Sequence, residues 1–360
     1  MESIRAATND FALRLKNTVA SASVAVLACS VYAVMPVHQR QLDRLYGPPD
    51  VAFTGRQFLV AAATVYIFLL ALYLLTEREA GVSKSLRFFR VLSRWVQAPV
   101  QSFRNGLAYE DRLAVLTTLL KSFYAPLMVL SLMVFCMNAW LNGAAILEVG
   151  IFGGGIRSLF DRFGFWFLLQ VIFFVDVIVF TVGYLVESPR LGNEIRSVDP
   201  TLIGWAAALM CYPPFNLVTV AVLGSQNEDF PQFDNTTVHM TMNLLLLALM
   251  ATYASASVAL GLKASNLTHR GIVARGPYAI VRHPAYVCKN MAWWIGSVPL
   301  VTAAFNRSLF GGLLSAGAVV GWTLIYALRA LTEEDHLRRV DGAYAEYAAK
   351  VRYRFVPGLI

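Results

Sequence analysis

Eight near-continuous apolar runs, each of about 18 to 24 residues, occupy most of the sequence, and each is long enough to cross ~30 Å of hydrocarbon. They cover residues 17–35, 57–76, 122–141, 163–186, 201–224, 239–262, 287–304 and 309–330. Of the 360 residues 57% are hydrophobic and only 14% charged, more apolar surface than a soluble core of this length buries, so the expected solvent is a membrane. The expected fold is all-α: a polytopic transmembrane helical bundle of about eight spans. Only residues 305–308 separate the last two runs, which makes them an antiparallel hairpin. An amphipathic tail helix follows, with Leu337, Val340, Tyr344, Tyr347 and Val351 on one face.

The formal charge of +8 sits mainly in short segments between apolar runs, where topology accounts for it and nucleic acid is not an expected partner. Alternate connections carry 23 and 6 Lys and Arg, counting Arg329 with the tail, and Lys289 falls inside the seventh run. Positively charged segments resist translocation, so both termini are predicted to be cytoplasmic. Lys84, Arg87, Arg90 and Arg94 share an arc of about 120° at 100° per residue, opposite an apolar face, which predicts an interfacial helix near residues 84–96 resting on membrane lipids. Cys29, Cys136, Cys211 and Cys288 stand singly, with no C-x-x-C pair, and suggest neither a disulfide framework nor a metal site. Residues 226–234 hold no Lys or Arg and read as a solvated loop on the outer side.

Two polar clusters interrupt this pattern. The first ends in Arg282-His283-Pro284-Ala285-Tyr286, where Pro284 removes a backbone donor as the seventh run begins. Taken alone, it is a basic interfacial loop or a site for an anionic or zwitterionic guest. The second holds Arg329, Glu333 and Glu334 where the last run ends; adjacent carboxylates repel unless a cation or donor is close. Gly342, Tyr344, Glu346, Tyr347 and Pro357 follow.

Together these residues, R-H-P-x-Y, a hairpin, E-E and then G-x-Y-x-E-Y, resemble the isoprenylcysteine carboxyl methyltransferases and the related phospholipid N-methyltransferases. The resemblance covers residues 263–360 and sets this module apart from an N-terminal transmembrane region, 1–262. It implies an S-adenosylmethionine-dependent methyltransferase working on a lipophilic or prenylated acceptor at the cytoplasmic face, with carboxyl O-methylation favoured. By matching positions it implies that His283, Pro284, Tyr286, Glu333 and Glu334 bind the cofactor and that Arg282 or Arg329 holds an anionic acceptor. This chain has Cys288 where the family usually has Gly two residues after the Tyr, and a side chain there narrows the pocket or re-aims a helix contact.

Asp176 lies deep in the fourth run, where an ionisable group is costly, and reads as substrate-binding or as a protonated structural residue. Tyr212-Pro213-Pro214-Phe215-Asn216 must interrupt the fifth run, either lining an acceptor pocket through Tyr212 and Asn216 or merely kinking the helix. Two other functions compete. The tail ending Tyr-Arg-Phe-Val-Pro also resembles nicotinamide-dependent sterol and isoprenoid double-bond reductases. Asp176 and the broken fifth run would equally suit a transporter or a membrane scaffold, although no related halves are visible.

Overall fold

A computed structural model describes residues 2–76, 81–150, 155–224 and 227–359, with side chains from Asp10 onward. The chain forms two compact units, Met1–Ser131 and Leu132–Ile360. The first contains α1 (Glu2–Val34), α2 (Pro36–Asp43), the two-residue strands β1 (Leu45–Tyr46) and β2 (Phe53–Thr54), α3 (Gly55–Thr76), α4 (Lys84–Gln97), α5 (Pro99–Asn105) and the start of α6 (Tyr109–Val149). Pro36 and Pro99 open their helices, where a missing N–H costs nothing. The basic amphipathic helix expected near 84–96 is α4; Ser83 caps it by accepting from Leu86 N at 3.2 Å. Arg87 and Arg94 pair with Asp111 and Val91 is buried, while Leu92, Trp95 and Val96 stay exposed, an apolar edge suited to lipid.

In the second unit α7 (Gly155–Leu159) continues through a π turn, Phe160–Gly164, into α8 (Phe165–Leu185). Then come β3 (Ser197–Val198), α9 (Leu202–Leu209), α10 (Asn216–Leu223), α11 (Thr236–Leu260), β4 (Thr268–His269), α12 (Pro284–Arg307), α13 (Leu309–Val340) and α14 (Ala343–Lys350). Among the described residues six helices are long and apolar enough to cross a membrane: α1, α3, α6, α7–α8, α11 and α13. They correspond to six of the eight apolar runs.

The other two runs depart for reasons visible in their residues. The fifth splits at Met210–Phe215, around a cis Pro213–Pro214 bond, into α9 and α10, each of 8 residues and so only about 12 Å long. The seventh forms one 24-residue helix, α12, whose Lys289, Asn290 and Ser297 dilute its apolar character. It packs against both α11 and α13, so the predicted hairpin is present.

Phe165 and Leu169 of α8, Leu246, Leu247 and Met250 of α11 and Ala292 of α12 form the buried core of this unit. Between helices in lipid the driving force is close van der Waals packing rather than the hydrophobic effect, which favours small residues at the contacts. Gly183 of α8 allows a similar close approach by the extended segment after α11: an added Cβ would run into the Ala264 carbonyl oxygen. The connection 227–235 is more than a solvated loop. Phe230 packs on Phe165 with its ring tilted and the centroids 4.4 Å apart, Glu228 N donates to Gly296 O at 3.1 Å, and Asn243 donates to Pro231 O at 3.0 Å.

Candidate active site

The site is built on the segment joining α11 to α12. Gly261 (φ +56°) ends α11, and the chain then pairs β4 with β3 in antiparallel register, Ser197 opposite His269. Asn266 is fixed on three sides: its N–H donates to Tyr184 OH at 2.8 Å, its Nδ2 donates to Tyr212 OH at 3.3 Å, and its Oδ1 accepts from Arg329 Nη2 at 2.9 Å. A 3-10 turn, Gly276–Ala279, follows, and Pro284 starts α12. The tail closes the far side. Arg282 N and His283 N donate to Tyr353 O and Arg354 O, both at 3.0 Å, and Tyr347 OH donates to Tyr278 O at 2.9 Å.

A cavity lies between this segment, α11, the start of α12, the end of α13 and α14. Of the residues expected at a site, Arg282, His283, Tyr286, Arg329, Glu333 and Tyr212 all line it. Glu333 accepts a short hydrogen bond from Tyr286 OH, with His283 Nδ1 at 3.9 Å and Arg329 Nη2 at 4.0 Å. Arg329 is buried among three rings, 5.1 Å from Tyr286, 5.5 Å from Tyr326 and 5.9 Å from Tyr212.

Glu334 has a different position. It is 1% exposed, does not line the cavity, and receives both Nε and Nη2 of Arg354 at 3.0 Å, Nη2 of Arg338 at 3.0 Å and Nε2 of His283 at 3.1 Å. Arg282 Nε lies 3.1 Å away without an aligned hydrogen bond. A carboxylate with so many cationic partners has no free lone pair for a ligand; it ties the Arg282–His283 turn, α13 and the tail together. The hydrogen bonds to Glu334 hold the Arg354 guanidinium above its ordinary pKa.

Pro284 begins α12 and is buried outside the cavity lining, as is Asp176. Asp176 accepts from Tyr253 OH at 2.9 Å and from Ser257 Oγ, and both of those residues do line the cavity. Asn216, at the start of α10, lies outside the lining.

Several site residues were not singled out from sequence: Asn266, Tyr253, Tyr326 and Lys289. For Lys289 a signal existed, since a charge inside an apolar run is costly and marks a functional position by default. Burial pushes the Tyr278 hydroxyl up and holds the His269 imidazole below its ordinary pKa, although Asp341 Oδ2 stands 2.8 Å away.

The fold and site thus define a helical membrane protein with a polar, tyrosine- and arginine-lined cavity at the end of a helical hairpin. The model of the isoprenylcysteine carboxyl methyltransferase (ICMT) family matches residues 238–339, a little over a quarter of the chain. The match takes in α11, absent from the sequence resemblance, and stops before α14. No curated protein and no solved structure matches the chain. With six membrane-length helices, the family match supports an integral membrane methyltransferase.

Proposed function

We propose that this protein is an S-adenosylmethionine-dependent methyltransferase acting on a lipophilic acceptor at the cytoplasmic membrane face, with carboxyl O-methylation as its reaction. The observation that carries the reading is the meeting of Tyr286 and Glu333, 47 residues apart, at one cavity within the segment that the family model matches. The donor set fits the cofactor. Buried Nε and Nη2 of Arg270 and Nε of Arg329 have no hydrogen-bond acceptor among the described residues, and both arginines line the cavity, so acceptor oxygens of a ligand would satisfy them. Glu333 and the tyrosine rings favour a cationic centre.

S-adenosylmethionine, when bound, supplies an electrophilic methyl group carried on a sulfonium. Glu333, His283 and Tyr286 would hold it, with Pro284 and Glu334 acting through the turn they fix rather than by contact. Arg329, locked by Asn266 and three rings, is the residue best prepared to orient an anionic acceptor oxygen. Arg282, paired with Glu334, acts as a positioning residue. A carboxylate acceptor needs no proton removed, so the chain's part is orientation and exclusion of water. The fifth-run turn contributes Tyr212 to this enclosure.

The test is incubation of the purified protein with methyl-labelled S-adenosylmethionine and membrane lipid extract. Label entering the lipid fraction and released by mild alkali as volatile methanol is the expected result. Alkali-stable lipid label would reassign the chemistry to nitrogen or sulfur, and no transfer by folded protein would reject the reading.

A further inference from the structure

Three aromatic rings from three helices meet around one point on the cavity wall. Lys289 Nζ stands over all of them, 5.2 Å from Trp293 of α12, 5.4 Å from Tyr326 of α13 and 5.9 Å from Tyr253 of α11. Lys289, Tyr253 and Tyr326 line the cavity. Trp293 and Tyr326 lie 5.3 Å apart with their planes at 88°, two walls of a corner, and Trp322 packs edge-on against Trp293 at 5.6 Å. Tyr253 is held in place by the hydrogen bond that its hydroxyl donates to Asp176 at 2.9 Å. Two carboxylates add to the field at this point, since Asp176 and Asp229 both act electrostatically on Lys289.

Rings and carboxylates together make a place for positive charge. Ring faces attract cations through their quadrupoles, and several faces around one centre are the arrangement that holds a quaternary ammonium. Lys289 matches that arrangement only in charge. Its ammonium carries N–H donors that rings do not satisfy, and it makes no hydrogen bond among the described residues. A methylated onium has the charge without the donors, and its methyl groups cover the ring faces more fully. Lys289 is thus a poorer complement to these rings than the ligand they suit, and it keeps its place because its own stem tethers it there.

We infer that Trp293, Tyr326 and Tyr253 form a cage for an organic cation, filled by the chain's own Lys289, which a quaternary ammonium or sulfonium group enters by displacing that side chain. The cage is independent of the methyltransferase reading, because occupying it calls for no catalysis. The experiment uses full-length protein in maltoside micelles, titrated by calorimetry with choline and with its uncharged isostere, 3,3-dimethylbutanol. A tethered competitor acts at an effective concentration of the order of mM, so Lys289→Ala is expected to bind choline at least about 10-fold more tightly than the wild type does. The same variant should prefer choline to the isostere by at least about 10-fold. Lys289→Ser should match Lys289→Ala, and Lys289→Arg, which keeps a tethered cation, should behave as the wild type. In the wild type, choline at high concentration should speed reductive methylation of Lys289, read by mass spectrometry, and the isostere should not.

Competition in Lys289→Ala assigns the source of the onium. Displacement of choline more strongly by S-adenosylmethionine than by S-adenosylhomocysteine identifies a sulfonium, and the lack of such a difference identifies an ammonium head group. Choline bound no more tightly by folded Lys289→Ala or Lys289→Ser than by the wild type, or no more tightly than its isostere, overturns the inference. Where neither variant folds, wild-type Lys289 reactivity that choline leaves unchanged overturns it as well.

Discussion

Glu333 and Glu334 are adjacent in sequence, yet about 100° of helical rotation gives them opposite duties. Glu333 faces the cavity with Tyr286; Glu334 is enclosed by Arg282, His283, Arg338 and Arg354. Removing the charge of Glu334 leaves several cations uncompensated, so Glu334→Gln should cost about 3–5 kcal/mol. Glu333 is partly open to solvent, and Glu333→Gln should change stability by less than about 1 kcal/mol. Thermal unfolding in detergent checks both. His269 adds a pH effect. Burial holds its pKa below the unfolded value, so the unfolded chain takes up the proton more readily, and stability present above pH ~6.5 is lost as pH falls. The acid arm of the melting profile should be shallower in His269→Asn. At this scale the sequence carried the E-E pair and R-H-P-x-Y but not which carboxylate faces the cavity, since that depends on the rotation of α13 about its axis. Lys289 was visible as a charge in an apolar run, and only the folded hairpin shows the rings around it.

Among the elements, apolar length identified the membrane helices α1, α3, α6, α8, α11 and α13, because hydropathy summed over some 20 residues outweighs local noise. The fifth run is interrupted, as its Tyr212–Asn216 stretch requires, into α9 and α10, each too short to span alone. The segment 264–283 was legible only as a polar loop. Its shape comes from contacts far apart in sequence, such as Asn266 with Tyr184 and Arg329, which local propensity does not encode. Gly183 is the point where α8 admits this segment. Gly183→Val should push Ala264 away and destabilise the protein by about 1–3 kcal/mol. Ligand affinity should fall with it, whereas an exposed substitution such as Leu168→Val on the same helix should leave both unchanged. Paired melting and binding curves test this.

For the molecule as a whole, the membrane class and the C-terminal position of the family match were readable from the sequence, while the cover on the cavity was not. Tyr344, Tyr347 and Val351 pack on Ile272 and Leu337, so α14 serves as a wall of the site. Of the apolar face expected on one tail helix, Leu337, Tyr344, Tyr347 and Val351 do pack together, but Val340 is exposed because α13 ends there and a separate helix begins at Ala343. Ending the chain after Val340 should therefore leave helical content by circular dichroism nearly unchanged and abolish ligand binding. The most direct measurement is calorimetric titration of S-adenosylhomocysteine into the detergent-solubilised wild type and Glu333→Gln, with NADPH as comparison. Saturable wild-type binding, weakened at least about tenfold in a Glu333→Gln protein of unchanged melting temperature, is the expected result. Binding of NADPH alone, or no adenosyl binding by a folded wild type, would contradict the methyltransferase site.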